Sequence, residues 1–527
     1  MQKSWYRYWL MFLCSLPTIG LSAAASMAAV ALPSVFSDHM VLQRDRDLPV
    51  WGWADAGESV TVSIGDQTQT TQADGEGKWS VTLKPLAVNR DGLTLTVKGS
   101  NEITLRDVLV GEVWICSGQS NMQWPVSQSW NADLTRATAK NAQIRFITND
   151  NAGVQKPLAD FVGAWDVCSP GTVNDFSAVG YFFGKQLQEV LDVPIGLIDN
   201  SWGGSACESW IERDRMAANP EMYGPLLKKW EETEAKPEMK DSYDEYEAAL
   251  LKWQDAEIAA KKAGQPIPNP PNRPNTQMVQ QHRPANLFNG RVAPLVPFAI
   301  RGVIWYQGET NAGRAYQYRD MFPLMIRNWR DAWKQGDFSF YWVQLADFQA
   351  ERPEPGDSAW AELREAQTMT LDALHHTGQA VIIDIGEGSD IHPRNKLEVG
   401  KRLARLALAQ DYGMDFVHQS PRFESMEVKD GKAIVTLAHR GSGLRTVDKR
   451  EVLGFAIAGE DHAWHHAQAK IEDDGRITVW SDDVAQPTAV RYAWADNPIC
   501  NLYNNEGLPV TPFRSDDWQG VTAENRR

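Results

Sequence analysis

The stretch "VLVGEVWICSGQSNMQWP", Val108 to Pro125, decides how the rest of the chain is read. Its first nine residues are almost wholly apolar, the pattern of a strand covered on both faces in a parallel sheet. It then turns polar around Ser120, with an amide on each side, Gln119 and Asn121. In open α/β sheets, ligands bind where parallel strands end and their loops lead into the next helix. A core strand that delivers a serine to such a loop predicts chemistry there, with Gln119 and Asn121 holding the loop in shape.

Downstream the same texture repeats. Helix-like "FSAVGYFFGKQLQEVL" precedes the strand-like "VPIGLIDNSW", and "FAIRGVIWYQG" precedes the helical "YQYRDMFPLMIRNWRDAW". "FSFYWVQLADF", "AELREAQTMTLDAL" and "AVIIDIG" continue the alternation. A three-layer α/β/α domain with a parallel sheet follows from it. Upstream, residues 29–107 carry short alternating runs such as "LPVWGWA" and "SVTVSIG", expected to form a small antiparallel β-domain. The catalytic domain is then expected over 108–225 and 284–414, split by a charged, helical and Pro-rich insertion at 226–283. That insertion is either a surface feature or a lid. From 415 to 527 the β texture returns, as a second β-domain or the other half of the first.

Residues 1–28 have the form of an export signal: Lys3 and Arg7, then an apolar run, then small residues before Ala29. A periplasmic or secreted protein is expected, without stable insertion in a membrane. The net charge of −16 argues against nucleic acid or anionic membranes as partners. Export permits disulfides among Cys116, Cys168, Cys207 and Cys500, but their spacing selects no pairing, and free buried thiols serve equally. Core packing must explain most of the 22 tryptophans, though the excess also suits stacking against sugar rings. Sequence says nothing of oligomeric state.

Three strand-end loops share one character: "CSGQSNM", "DNSWGGS" and "YQGETN", each with glycine beside small polar donors. Together they predict one cleft. A serine nucleophile needs a base, an orienting acid and donors for the oxyanion. The donors on offer are the Ser120 N–H, an N–H of the Gly203–Gly204 turn and the Asn311 amide. His392, between the strand "AVIID" and a helix opened by Pro393, is the candidate base. Asp390, two residues earlier, points the same way in an extended segment and is the candidate acid. Glu309 is its rival, and Gln119 and Gln307 are candidate supports. The histidines His462, His465 and His466 have no accompanying ligand set and read as a solvated loop; no metal or organic cofactor is called for.

"GQSNM", "WGGS", "WYQGETN" and "DIHP", in this order, resemble the four blocks of the SGNH hydrolase superfamily, and more closely its sialate O-acetylesterase-like carbohydrate acetylesterases. The similarity extends through "PANLFNGRVAPLVPFAIRG" and "RYAWADNPICNLYNNEGLPVTPFR". It implies Ser120 as nucleophile, His392 as base, and Gly203 or Gly204 with Asn311 in the oxyanion hole. The chain departs from the superfamily at the acid, which usually lies three residues before the histidine; Ser389 stands there, and Asp390 is the nearest substitute. The expected activity is removal of O-acetyl groups from an acetylated oligosaccharide or polysaccharide. Hemicellulose (xyloglucan or xylan) is the leading substrate, with Trp124 and Trp202 as aromatic contacts. A sialic acid ester is the alternative, with Arg314 or Arg394 meeting its carboxylate. A non-catalytic carbohydrate-binding protein is the third reading.

Overall fold

Strand Glu102–Gly118 is the axis of the molecule, a 17-residue run whose two halves serve different sheets. The computed structural model describes residues 29–527; the export signal expected at 1–28 lies outside them. The first half of the strand pairs antiparallel with Asn89–Lys98, which continues to Ser59–Ile64 and Gln67–Gln72. With the pair Leu48–Trp53 and Lys78–Leu83, these form the N-terminal β-unit. The boundary expected between 107 and 108 therefore falls inside one continuous strand, because its polar first half and apolar second half differ in cover, not in conformation.

The second half is central to a parallel sheet. Its order is Thr377–Ala380, Ser339–Val343, Gly302–Tyr306, Glu102–Gly118, Ile195–Ser201, Ile144–Thr148, with Asp166–Val167 antiparallel at the edge. Side chains alternate across it as a pleated strand requires. Val113 and Ile115 enter the core under helix Ala315–Trp333, whereas Trp114 and Cys116 enter the one under helices Ala178–Leu191 and Lys396–Gln410. Trp114, Trp210, Trp305, Trp329, Trp333 and Trp342 are fully buried, so packing accounts for much of the tryptophan load. Cys116, Cys168, Cys207 and Cys500 are all free.

The last parallel strand is Thr377–Ala380, a few residues earlier than the apolar run "AVIIDIG" suggests. That run is apolar for another reason: Val381 and Ile383 pack into the C-terminal core and Ile382 into the catalytic one. The C-terminal strands form two four-stranded antiparallel sheets, a two-stranded one and their own core, so they are a second β-unit and not part of the first. The insertion starts earlier than expected, with helix Pro220–Glu234, followed by Pro237–Ala263. Tyr223, Leu226 and Leu227 reach the main core, while Tyr243, Tyr246, Leu250 and Trp253 cover Val154 and Leu158. Lys261 is ion-paired with Asp160, and Lys262 Nζ donates to Ala54 O at 2.7 Å. The insertion is a docked brace linking the catalytic and N-terminal units. Among the described residues no helix is long and apolar enough to cross a membrane.

Candidate functional site

The parallel strands all end at one edge, and their loops are stitched together there. Gln119 N–H donates to Tyr306 O at 2.9 Å, and Trp202 N–H donates to Gly118 O at 3.0 Å. Gly118 allows this approach: its φ is +131°, and a Cβ at that position would lie 2.2 Å from Tyr306 O. Gln307, fully buried, donates to Ser205 O (3.0 Å) and Asn311 Oδ1 (2.7 Å), and accepts from Tyr318 Oη (2.9 Å). Gln119, also buried, offers its Oε1 to Gly308 N–H at 3.4 Å. Both glutamines thus tie neighbouring strand-end loops together.

Ser120 opens a short helix, Ser120–Gln123, so its N–H has no intrahelical acceptor. Its Oγ lies 2.9 Å from His392 Nε2, although 272 positions separate the two residues. With the proton on Nδ1, the hydroxyl donates to Nε2. Asp390 Oδ1 stands 3.5 Å from His392 Nδ1 and accepts the His392 backbone N–H at 2.9 Å. Asp390 is therefore the carboxylate beside the imidazole. Glu309 is not: it is half-buried, and its Oε1 accepts from Asn121 Nδ2 at 2.7 Å.

Asn121 joins the blocks. The same Nδ2 donates to Ile391 O at 2.9 Å, next to His392, and Oδ1 accepts from Lys396 Nζ at 2.5 Å. Lys396 is wholly buried, its ammonium 5.2 Å from the Tyr306 ring centroid and 5.9 Å from that of Trp124. Burial pushes its pKa down to about 7 against the pull of Glu309, and burial likewise raises that of Glu309. His392 is held below the ordinary imidazole range, first by burial and then by the Lys396 charge, with Asp390 opposing. A neutral imidazole is what a general base requires. Lys396 escaped the sequence reading because a lysine in a helix's first turn usually faces water; the polar pair "SN" at 120–121 was the one visible signal of a buried partner.

Four expected roles meet other geometry. Asn311 is 1% exposed, its Nδ2 donating to Glu208 Oε2 (2.9 Å) and its Oδ1 accepting from Cys207 N–H and Gln307; that amide is committed to structure and not open to an oxyanion. Arg314 is engaged by Glu208 (2.5 Å) and Gln317 (2.8 Å), so it offers no free fork to a carboxylate. Trp202 has the guanidinium carbons of Arg273 and Arg291 4.8 and 4.6 Å from its ring centroid, leaving little free face for a sugar. Trp124 stacks on His392, centroids 4.7 Å apart and planes 15° off parallel, so it orients the base. Gly203 lies beside the serine, with its Cβ position 3.5 Å from Ser120 Cβ. Its N–H is held by Gln123 Oε1 at 2.9 Å, and Gly204 follows at φ +68°. The C-terminal histidines disperse: His462 stacks on Trp518, and His466 Nε2 faces Pro353 O.

Known proteins resemble this chain over most of its length. The family model described as carbohydrate esterase, sialic acid-specific acetylesterase, matches residues 110–257 and 258–409. The chain is 29% identical to a rat (Rattus norvegicus) sialate O-acetylesterase and 27% to the mouse (Mus musculus) protein, each over 91% of this chain and 93% of the relative. It is 38% identical to a carbohydrate acetylesterase of known structure from Xanthomonas citri, at a TM-score of 0.78, over 93% of this chain and 100% of that one.

Proposed function

The chain belongs to the sialic acid-specific acetylesterase family of carbohydrate esterases, and from that premise we propose that it is a serine O-acetylesterase acting on acetylated glycans outside the cytoplasm. Acetylesterase activity on a carbohydrate comes with the family; the serine mechanism, the location and the glycan are our reading. The observation that carries the mechanism is the 2.9 Å contact between Ser120 Oγ and His392 Nε2, backed by Asp390.

In this mechanism His392 Nε2 takes the hydroxyl proton as Oγ bonds to the acetyl carbon. The carbonyl oxygen becomes an oxyanion facing the N–H groups of Ser120, Gly203 and Gly204. It replaces Gln123 Oε1, an exposed group, at the Gly203 N–H. Collapse breaks the bond to the sugar oxygen, which leaves with the proton from Nε2. Water, deprotonated by the same imidazole, then attacks the acetyl-enzyme and releases acetate.

For the glycan, the proposal is a neutral hemicellulose such as acetylated xyloglucan or xylan. The engagement of Arg314 by Glu208 favours it, since that cation is not available to a sugar carboxylate. The names of the mammalian relatives favour the second reading, a sialic acid ester, with the exposed Arg394 as its carboxylate partner. Acetate release from acetylated xylan and xyloglucan oligosaccharides and from acetylated sialic acids, at one pH, separates the two. Ser120→Ala and His392→Ala are each expected to lower kcat by roughly 10³ or more while remaining folded. Near-wild-type turnover by either variant refutes the mechanism, and a preference for sialic acid esters refutes the hemicellulose assignment alone.

A further inference from the structure

The direction of the reaction fixes where the sugar must lie. Acetyl oxygen goes toward the Gly203–Gly204 turn, and the leaving oxygen must come within reach of His392 Nε2, which returns its proton. The alcohol portion therefore leaves past the imidazole. On the imidazole's flank stands Trp124, and from Trp124 an open hollow of about 520 Å³ extends, lined by Ser127, Gln128, Trp130, Asn131 and Arg394.

Trp130 is the distinctive member. It is 55% exposed in a chain whose other large aromatic side chains are mostly packed away. An isolated exposed apolar side chain needs no explanation by itself. This one, however, is on a loop tied to the catalytic base: Trp130 N–H donates to Arg394 O at 3.0 Å, two residues beyond His392. The loop is further pinned by Val126 N–H to Phe176 O (3.0 Å) and by Ser129 Oγ to Val126 O (2.8 Å). Asn131, in the left-handed region at φ +55°, then turns the chain into helix Ala132–Thr138. An indole carried on a pinned backbone presents its area to a ligand with less ordering cost than one on a free loop. Ser127, Gln128, Asn131 and Arg394 are exposed polar groups around it, the mix of one aromatic face and several hydrogen-bonding groups that suits a sugar ring.

We propose that this hollow is a glycosyl subsite, in which Trp130 stacks on the sugar ring next to the one carrying the acetyl group. It rests on the esterase reading for its polarity, and it assigns the enzyme to oligosaccharides over single sugars.

The experiment compares acetylated xylo-oligosaccharides with p-nitrophenyl acetate, which is too small to span both Ser120 and the hollow. In Trp130→Ala the ratio of kcat/KM for the oligosaccharide to that for p-nitrophenyl acetate is expected to fall about tenfold, mainly through KM, as loss of roughly one stacking contact implies. Trp130→Phe is expected to restore most of the ratio. In a Ser120→Ala background, adding Trp130→Ala is expected to weaken binding of the intact acetylated oligosaccharide by a similar factor, by titration calorimetry. An unchanged ratio, an equal loss on both substrates, or unweakened or absent binding in the Ser120→Ala background overturns the subsite. Failure of the esterase reading shows separately, as a wild-type protein inert toward p-nitrophenyl acetate.

Discussion

Asp390→Asn isolates one charge without moving an atom. Both contacts of Asp390 with His392 use the same oxygen, Oδ1: one to the backbone N–H at 2.9 Å, one facing Nδ1 at 3.5 Å. An asparagine keeps an oxygen there, so the loop should hold and only the negative charge is lost. In a buried, tightly bonded triad the same exchange lowers kcat by about 10⁴, because the imidazole is then held in the wrong tautomer. Here Nδ1 to Oδ1 is longer than a good hydrogen bond, and the Asp390 side chain is 36% exposed. A charge-assisted hydrogen bond of roughly 1.5–3 kcal/mol is the realistic scale, which is about 10- to 150-fold in rate. Glu309→Gln is the matched control: it removes a half-buried charge but keeps an acceptor for Asn121 Nδ2, and it does not touch the imidazole. The expected ranking, read as single-turnover acylation by p-nitrophenyl acetate with near-UV circular dichroism as a check on folding, is a larger loss for Asp390→Asn. If Glu309→Gln slows acylation more, the acid role belongs to Glu309 and the geometric argument fails.

Two further outcomes follow from the same site. Because burial and the Lys396 charge lower the His392 pKa, the neutral base persists to lower pH, and the acid limb of kcat/KM should lie below the usual imidazole midpoint; Lys396→Gln removes a charge that opposes imidazolium, so the limb should move to higher pH, and a fixed limb would show that the charge does not act on His392. Gly118→Ala places a Cβ 2.2 Å from Tyr306 O at φ +131°, and should destabilise the catalytic domain by about 2–4 kcal/mol, seen as a lower thermal midpoint; an unchanged midpoint would mean that the strand-end contact tolerates a side chain.

The reacting pair was legible because it sits where open sheets expose their loops. Ser120 directly closes an apolar strand and His392 lies on the loop between the last parallel strand and the next helix, and strand order brings such loops to one edge. Other readings failed where the deciding fact was a partner distant in sequence. Asn311 offers the right chemistry in its motif, but Glu208, 103 positions away, takes its amide. Trp202 sits beside two glycines, as a sugar contact could, yet Arg273 and Arg291 lie over its ring. Aromatic residues near a catalytic motif do not announce which face is free. Trp130 was overlooked for the opposite reason: its loop holds no motif, and only its exposure and its tie to Arg394 connect it with the base.

The hydrogen-bonded trio Lys396, Asn121 and Glu309 accounts for how a serine and a histidine 272 positions apart meet at 2.9 Å. Burying an ammonium and a carboxylate costs solvation that their attraction does not surely recover, so stability is a poor reason for such a pair. Position is a better one. Asn121, adjacent to the nucleophile, is fixed from three directions: Lys396 from the helix that follows His392, Glu309 from the third strand-end loop, and Ile391 O from the base's own loop. Each contact ties Ser120's neighbour to a segment that must be in register for transfer, and a productive constellation has to be held within about 0.5 Å. Displacing any one of these loops separates Asn121 from a hydrogen-bond partner inside the protein, so the penalty of a misplaced loop is steep. A site assembled from three loops on separate strands gains from that steepness, because partly assembled arrangements are penalised before substrate arrives.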